Sequence, residues 1–99
     1  MSIEYLKAFN LKPSEYDEVQ NCLTDEQKLN FAVMRVQVSE ILSFMLEFSI
    51  SNIKGIIIYR PDLCFKPKKV IEESFKKLNQ EMLISIIDAN IDDLICFDI

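Results

Sequence analysis

Apolar residues recur at helical steps of three and four along Phe31, Met34, Val38, Ile41, Met45 and Phe48, which places them on one face of a helix. Thr24-Asp25-Glu26-Gln27 precedes that run as a capping box, so a long helix is predicted over residues 25–50. Val33, Val36, Leu42, Phe44 and Leu46 add apolar surface on its other sides, which marks it as central. A second long helix is predicted over 67–89, with Pro67 at its first position and Ile71, Phe75, Leu78, Met82 and Ile86 on its apolar face. Its outer face carries Glu72 with Lys76 and Glu73 with Lys77 in the favourable acid-first order. From Met82 to Ile87 the chain is almost wholly apolar, so this helix must run into the interior or into a partner.

Shorter elements flank the two. Ser2 caps a first helix through Phe9, which Asn10 ends in the left-handed conformation ahead of Pro13. Ser14 opens a second short helix, whose Glu15, Asp17 and Glu18 complement the positive end of its dipole. Residues 49–66 read as a helical continuation kinked near Gly55, although Ile56, Ile57, Ile58 and Tyr59 also suit a strand. The tail from Asn90 to Phe97 repeats the pattern from Asn52 to Tyr59 at a spacing of 38 residues. The predicted fold is mainly α: a compact helical bundle with two long antiparallel helices in a single domain, 1–99. The alternative is an α+β fold in which 53–59 and 91–97 pair as a two-stranded sheet.

Composition narrows the chemistry. In 99 residues, 49% are hydrophobic and 27% charged, enough for a packed core and unlike a disordered chain. There is no His, no Trp and a single Gly, so imidazole catalysis, His-ligated metal and glycine-rich phosphate loops are excluded. Cys22, Cys64 and Cys96 form neither a CxxC pair nor a complete disulfide framework and are expected to be buried thiols in a reducing compartment. The N-terminal run has no secretory pattern, and the most apolar window, Ile41 to Tyr59, is interrupted by Glu47, Asn52 and Lys54. A cytoplasmic protein without a membrane span is expected.

Asp92 with Asp93 and Glu72 with Glu73 are adjacent pairs that do not face each other across a substrate, and no acidic spacing fits a metal loop, so neither an enzyme nor a cofactor or metal site is predicted. The net charge of −5 is unevenly distributed. Residues 1–53 carry four basic and eight acidic side chains, 54–77 seven and three, and 78–99 none and five. Two surfaces follow. The first is acidic, with Tyr16 as an aromatic anchor, Asp17 and Glu18 beside it, and Asp92 and Asp93 as a second patch. It predicts an interaction module that binds and inhibits a basic protein partner, in the manner of an immunity protein, antitoxin or viral antagonist. The second gathers Arg60, Lys66, Lys68 and Lys69 at a predicted helix start, and its alternative function is binding a small phosphorylated ligand such as a nucleotide. Overall acidity disfavours duplex nucleic acid. Surplus apolar surface predicts a homo-oligomer, with a symmetric dimer as the default.

Overall fold

The computed structural model describes residues 2–99, among which helices occur and no strand does. In chain order these are a 3-10 turn at Glu4–Ala8, α1 (Pro13–Cys22), α2 (Asp25–Val33), α3 (Arg35–Glu47), α4 (Ile53–Tyr59), a 3-10 turn at Pro61–Phe65, α5 (Lys68–Lys76), α6 (Gln80–Asn90) and a 3-10 turn at Ile91–Phe97. The mainly α bundle expected from the periodicity is therefore present. The two-stranded alternative is not: 53–59 is α-helix and 91–97 is 3-10 helix.

Each predicted long helix is two helices. Thr24 caps α2 as expected, accepting from the Gln27 N–H at 3.1 Å while the Gln27 side chain accepts from the Thr24 N–H at 2.9 Å. At Met34 the backbone leaves helical geometry (φ −94°, ψ 29°), and α2 and α3 meet at 87°. The bend lets Phe31 on α2 and Val38, Ile41, Leu42 and Met45 on α3 all reach the same core. It also turns Val33 and Val36 outward at the corner, where neither helix covers them. No single helix among the described residues is long and apolar enough to cross a membrane.

The second break lies between α5 and α6. Asn79 caps α6, its side-chain oxygen accepting from the N–H groups of Glu81 (2.9 Å) and Met82 (3.3 Å). Residues 77–79 shift the helical phase, so the stripe that starts at Ile71 and Phe75 continues at Leu83 and Ile87 instead of Met82 and Ile86. Helix α5 begins at Lys68 with Pro67 just outside it, and α1 begins at Pro13, one residue before the expected Ser14. At that start the Lys12 N–H donates to the Glu15 carboxylate at 3.0 Å.

Two left-handed residues stop chain segments where helix would otherwise continue. Asn10 (φ 61°) does so as anticipated. Ser49 (φ 67°) ends α3, with Ile50 N–H donating to the Met45 carbonyl (2.9 Å) and Ser49 N–H to Leu46 (3.1 Å). The chain therefore restarts as α4 instead of kinking at Gly55. Ile53, Ile56 and Ile57 are fully buried in this short helix, worth roughly 1.5–3 kcal/mol each, which holds seven residues that would not stay helical alone. Around α4 lie α1, α6 and the 61–65 and 91–97 turns.

Of the three cysteines only Cys64 is buried; Cys22 and Cys96 are exposed, because they fall on the solvent side of α1 and of the 91–97 turn. Burial, reinforced by the Asp62 charge, pushes the Cys64 thiol up. A thiol-titrating reagent is therefore expected to modify two cysteines in the native protein and the third only after denaturation, as read by absorbance or intact mass.

Candidate acidic cleft and the basic corner

Asn52 organises the first site. Its side-chain oxygen accepts from the Gly55 N–H at 3.1 Å, capping α4, and its amide donates to the Ile87 carbonyl at 3.3 Å, tying α4 to α6. Gly55 makes this fit: a Cβ there would lie 2.5 Å from the Asn52 amide nitrogen. Gly55→Ala is expected to destabilise the fold by about 1–3 kcal/mol despite alanine's better helix propensity, since Asn52 must surrender its bonds. Urea denaturation checks this, and an unchanged midpoint would contradict the packing.

Beyond α6, Ile91 and Leu94 are buried. In a 3-10 turn residues three apart share a face, so this pair forces Asp92, Asp93 and Ile95 outward. Tyr59, the last residue of α4, is 64% exposed. Between these elements lies a cleft of about 240 Å³. Tyr59, Asp88 and Asp92 line it with Asn52 and Asn90, over Ile87 and Ile91. It is smaller than the roughly 300–1,000 Å³ of whole-ligand pockets and is on the scale of one long side chain. Two carboxylates, an aromatic ring and an apolar floor suit a Lys or Arg: charge for its head, ring for cation–π contact, floor for its stem. Residues 78–99 contain no basic side chain to fill it.

The N-terminal acidic patch is arranged differently from its sequence expectation. Tyr16 is only 5% exposed, because α1 turns it inward with Val19, and it lines a separate cavity of about 270 Å³ with Gln20 and Lys28. The Gln20 amide donates to its hydroxyl at 3.3 Å, and Lys7 Nζ stands 4.6 Å from the ring centroid. Burial, with the Glu4 and Asp17 charges, pushes its hydroxyl pKa up. It is a core residue, not a surface anchor. Glu18 pairs with Lys54 of α4 at 3.2 Å, and Asp17 is exposed.

The four cations predicted to bind a phosphate do not converge on an open site. Arg60 is 9% exposed, folded inward by the turn after α4. Its guanidinium donates twice to the Asp62 carboxylate, at 3.0 Å each, and to the main-chain oxygen of Ile99 at 2.6 Å. Lys66 Nζ donates to the same Ile99 oxygen at 3.3 Å. Lys68 pairs with Glu72 at 3.6 Å, one turn along α5, and Lys69 is exposed. The basic segment thus spends Arg60 and Lys66 on fastening the chain's own last residues.

Partial burial pushes the Asp62 carboxyl up, but the hydrogen bonds and charge of Arg60, with Lys66 behind it, outweigh burial and hold it below the ordinary 3.8. A depressed folded value adds stability above the unfolded value and loses it as pH falls through the folded one. Asp62→Asn is therefore expected to flatten the acid limb of the stability curve below about pH 4, measured by denaturant unfolding at stepped pH.

No family model, curated protein or solved structure matches the chain. Tyr59, Asn52 and Asp88 are members of the cleft that sequence reasoning did not assign to a site. Helical phase gave no signal for Tyr59, which comes one turn after the buried Ile56 and is exposed as the last residue of α4.

Proposed function

We propose that this chain is a non-enzymatic interaction module that binds a basic protein partner by seating a Lys or Arg side chain in the cleft formed by Tyr59, Asp88 and Asp92. The observation that carries this reading is the exposed Tyr59 sharing with two carboxylates a cleft whose lining includes no Lys or Arg. Asp93 and the exposed Asp98 extend the acidic field around the cleft, which would steer a basic surface and speed its association. A partner that uses its basic surface on nucleic acid or another polyanion would be inhibited by occupancy of that surface, in the manner of an immunity protein, antitoxin or viral antagonist. A cytoplasmic location belongs to the same proposal.

The aromatic role passes from Tyr16 to Tyr59, and Asp88 joins Asp92 and Asp93 as the charged contacts. The phosphate-ligand alternative has no comparable support, because Arg60 and Lys66 are already engaged.

The test is fluorescence anisotropy with a labelled oligolysine peptide and an oligoglutamate control. Binding of oligolysine alone, weakening steeply as salt rises, is expected. Equal binding of both peptides, or of neither, would overturn the proposal.

A further inference from the structure

The cavity of about 270 Å³ beside Tyr16 shares no residue with the cleft, and the fold leaves its polar groups largely unspent. It lies where the first 3-10 turn, α1 and α2 meet. On α1, Tyr16 and Gln20 are one turn apart and line the same side. On α2, Lys28 and Ala32 do likewise with Leu29 beside them, and Glu4 joins them from the first turn.

Tyr16 is the group that burial fixes in place. It is 5% exposed, and its hydroxyl oxygen accepts from the Gln20 amide at 3.3 Å. Its own O–H proton finds no acceptor among the described residues. Burial, and after it the Glu4 charge, push the hydroxyl pKa up, so the group stays protonated at neutral pH and remains a donor. A donor held so nearly out of solvent is a binding group for an acceptor that enters the cavity.

Two charges add a second, independent observation. Glu4 and Lys28 line the same cavity from different elements, yet among the described residues neither forms an ion pair, with the other or with a third side chain. A carboxylate and an ammonium that share a cavity without neutralising each other leave room between them for a molecule that carries both opposite charges. The rest of the wall is aliphatic, running from the buried Ile3 past Ala32 to Leu29, which is 55% exposed.

We propose that this cavity binds a free aliphatic α-amino acid as its zwitterion. Lys28 and the Tyr16 hydroxyl receive the carboxylate, Glu4 receives the ammonium, and Ile3, Ala32 and Leu29 receive the side chain. Because the two charged groups of an α-amino acid share one carbon, a carboxylate bound at the Tyr16 hydroxyl brings the ammonium to the Glu4 charge that the hydroxyl already feels. The volume lies just below the roughly 300–1,000 Å³ of drug-sized ligands, which is the scale of one amino acid and too small for a nucleotide. A plain carboxylate would leave Glu4 facing an anion, and a plain amine would leave Lys28 facing a cation, so both are selected against.

Titration of L-leucine into the isotopically labelled full chain, followed by amide chemical shifts, tests this. Leucinamide, which lacks the carboxylate, isocaproate, which lacks the ammonium, and glycine, which lacks the side chain, are the matched probes. Saturable shifts at Tyr16, Gln20 and Lys28 are expected with leucine, and binding at least about tenfold weaker with each of the other three. Lys28→Met should remove the preference for leucine over leucinamide, and Glu4→Gln the preference over isocaproate. Neither side chain belongs to the core, so the fold should survive, which circular dichroism verifies. Tyr16→Phe keeps the ring and should weaken leucine binding by about tenfold. No saturable shift at up to about 10 mM leucine, shifts centred elsewhere in the chain, equal binding of leucine and either single-charge analogue, or preferences that survive in the Lys28 and Glu4 variants would each overturn the proposal. Oligolysine binding depends on Asp88 and Asp92, so the two proposals fail separately.

Discussion

Leu83→Ala is expected to lower the unfolding free energy by about 2–5 kcal/mol, whereas Met82→Ala should cost less than about 1 kcal/mol. Leu83 is fully buried and continues the core stripe of Ile71 and Phe75, while its neighbour Met82 stands substantially exposed. The contrast arises from the interruption at residues 77–79, since an unbroken helix would bury Met82 and expose Leu83. Against a typical total of about 5–15 kcal/mol for a domain, the Leu83 variant should show a large shift of the urea midpoint, with little change in slope. A larger cost at Met82 than at Leu83 would mean that α5 and α6 form one continuous helix, and equal costs would contradict the phase shift.

Asp88→Lys combined with Asp92→Lys should abolish measurable oligolysine binding, because both carboxylates at the cleft would become repulsive. The milder Asp88→Asn and Asp92→Asn changes should each weaken it by about 1–3 kcal/mol, the range for a charge-assisted contact. Tyr59→Ala should cost about 1 kcal/mol through the lost ring face. Asp17→Lys is the control, since α1 contributes nothing to the lining of the cleft, and its effect should stay within about 0.5 kcal/mol. A loss at Asp17 as large as at Asp88 would return the site to the N-terminal acidic patch.

Helical periodicity carried the class of the fold because buried stripes at steps of three and four need only local spacing to be visible. It failed at the breaks, which long-range packing decides. Met34 carries no cap or proline to announce an 87° bend, and Phe31 and Val38 would share one face of a straight helix as well, so the stripe does not reveal it. Asn79 is a good capping residue, but the apparent stripe through Leu78 and Met82 spans it and hides the phase shift. Ser49 stops α3 although serine does not usually signal a left-handed stop.

The candidate site shows the same division. Charge partition, which is additive along the chain, already singled out Asp92 and Asp93. Choosing the aromatic beside them required the direction of each ring, and the sequence misdirects: Tyr16 lies between Glu15 and Asp17, as a surface residue would, while Tyr59 follows a run of isoleucines. In α1 the packing takes Tyr16 inward; in α4 Tyr59, at the helix end, stays outward although it follows the buried Ile56 by one turn. Likewise the basic residues are visible in sequence, but not that Ile99 folds back to meet Arg60 and Lys66.

The central claim is that a basic side chain enters the cleft between α4, α6 and the 91–97 turn. Titration of oligolysine into the isotopically labelled protein, followed by amide chemical shifts, tests it most directly. Saturable shifts concentrated at Asn52, Tyr59, Asp88 and Asp92 are the predicted result. Shifts confined to α1 around Asp17 and Glu18, or none at peptide concentrations up to about 1 mM, where binding would be weaker than about −4 kcal/mol, would contradict it.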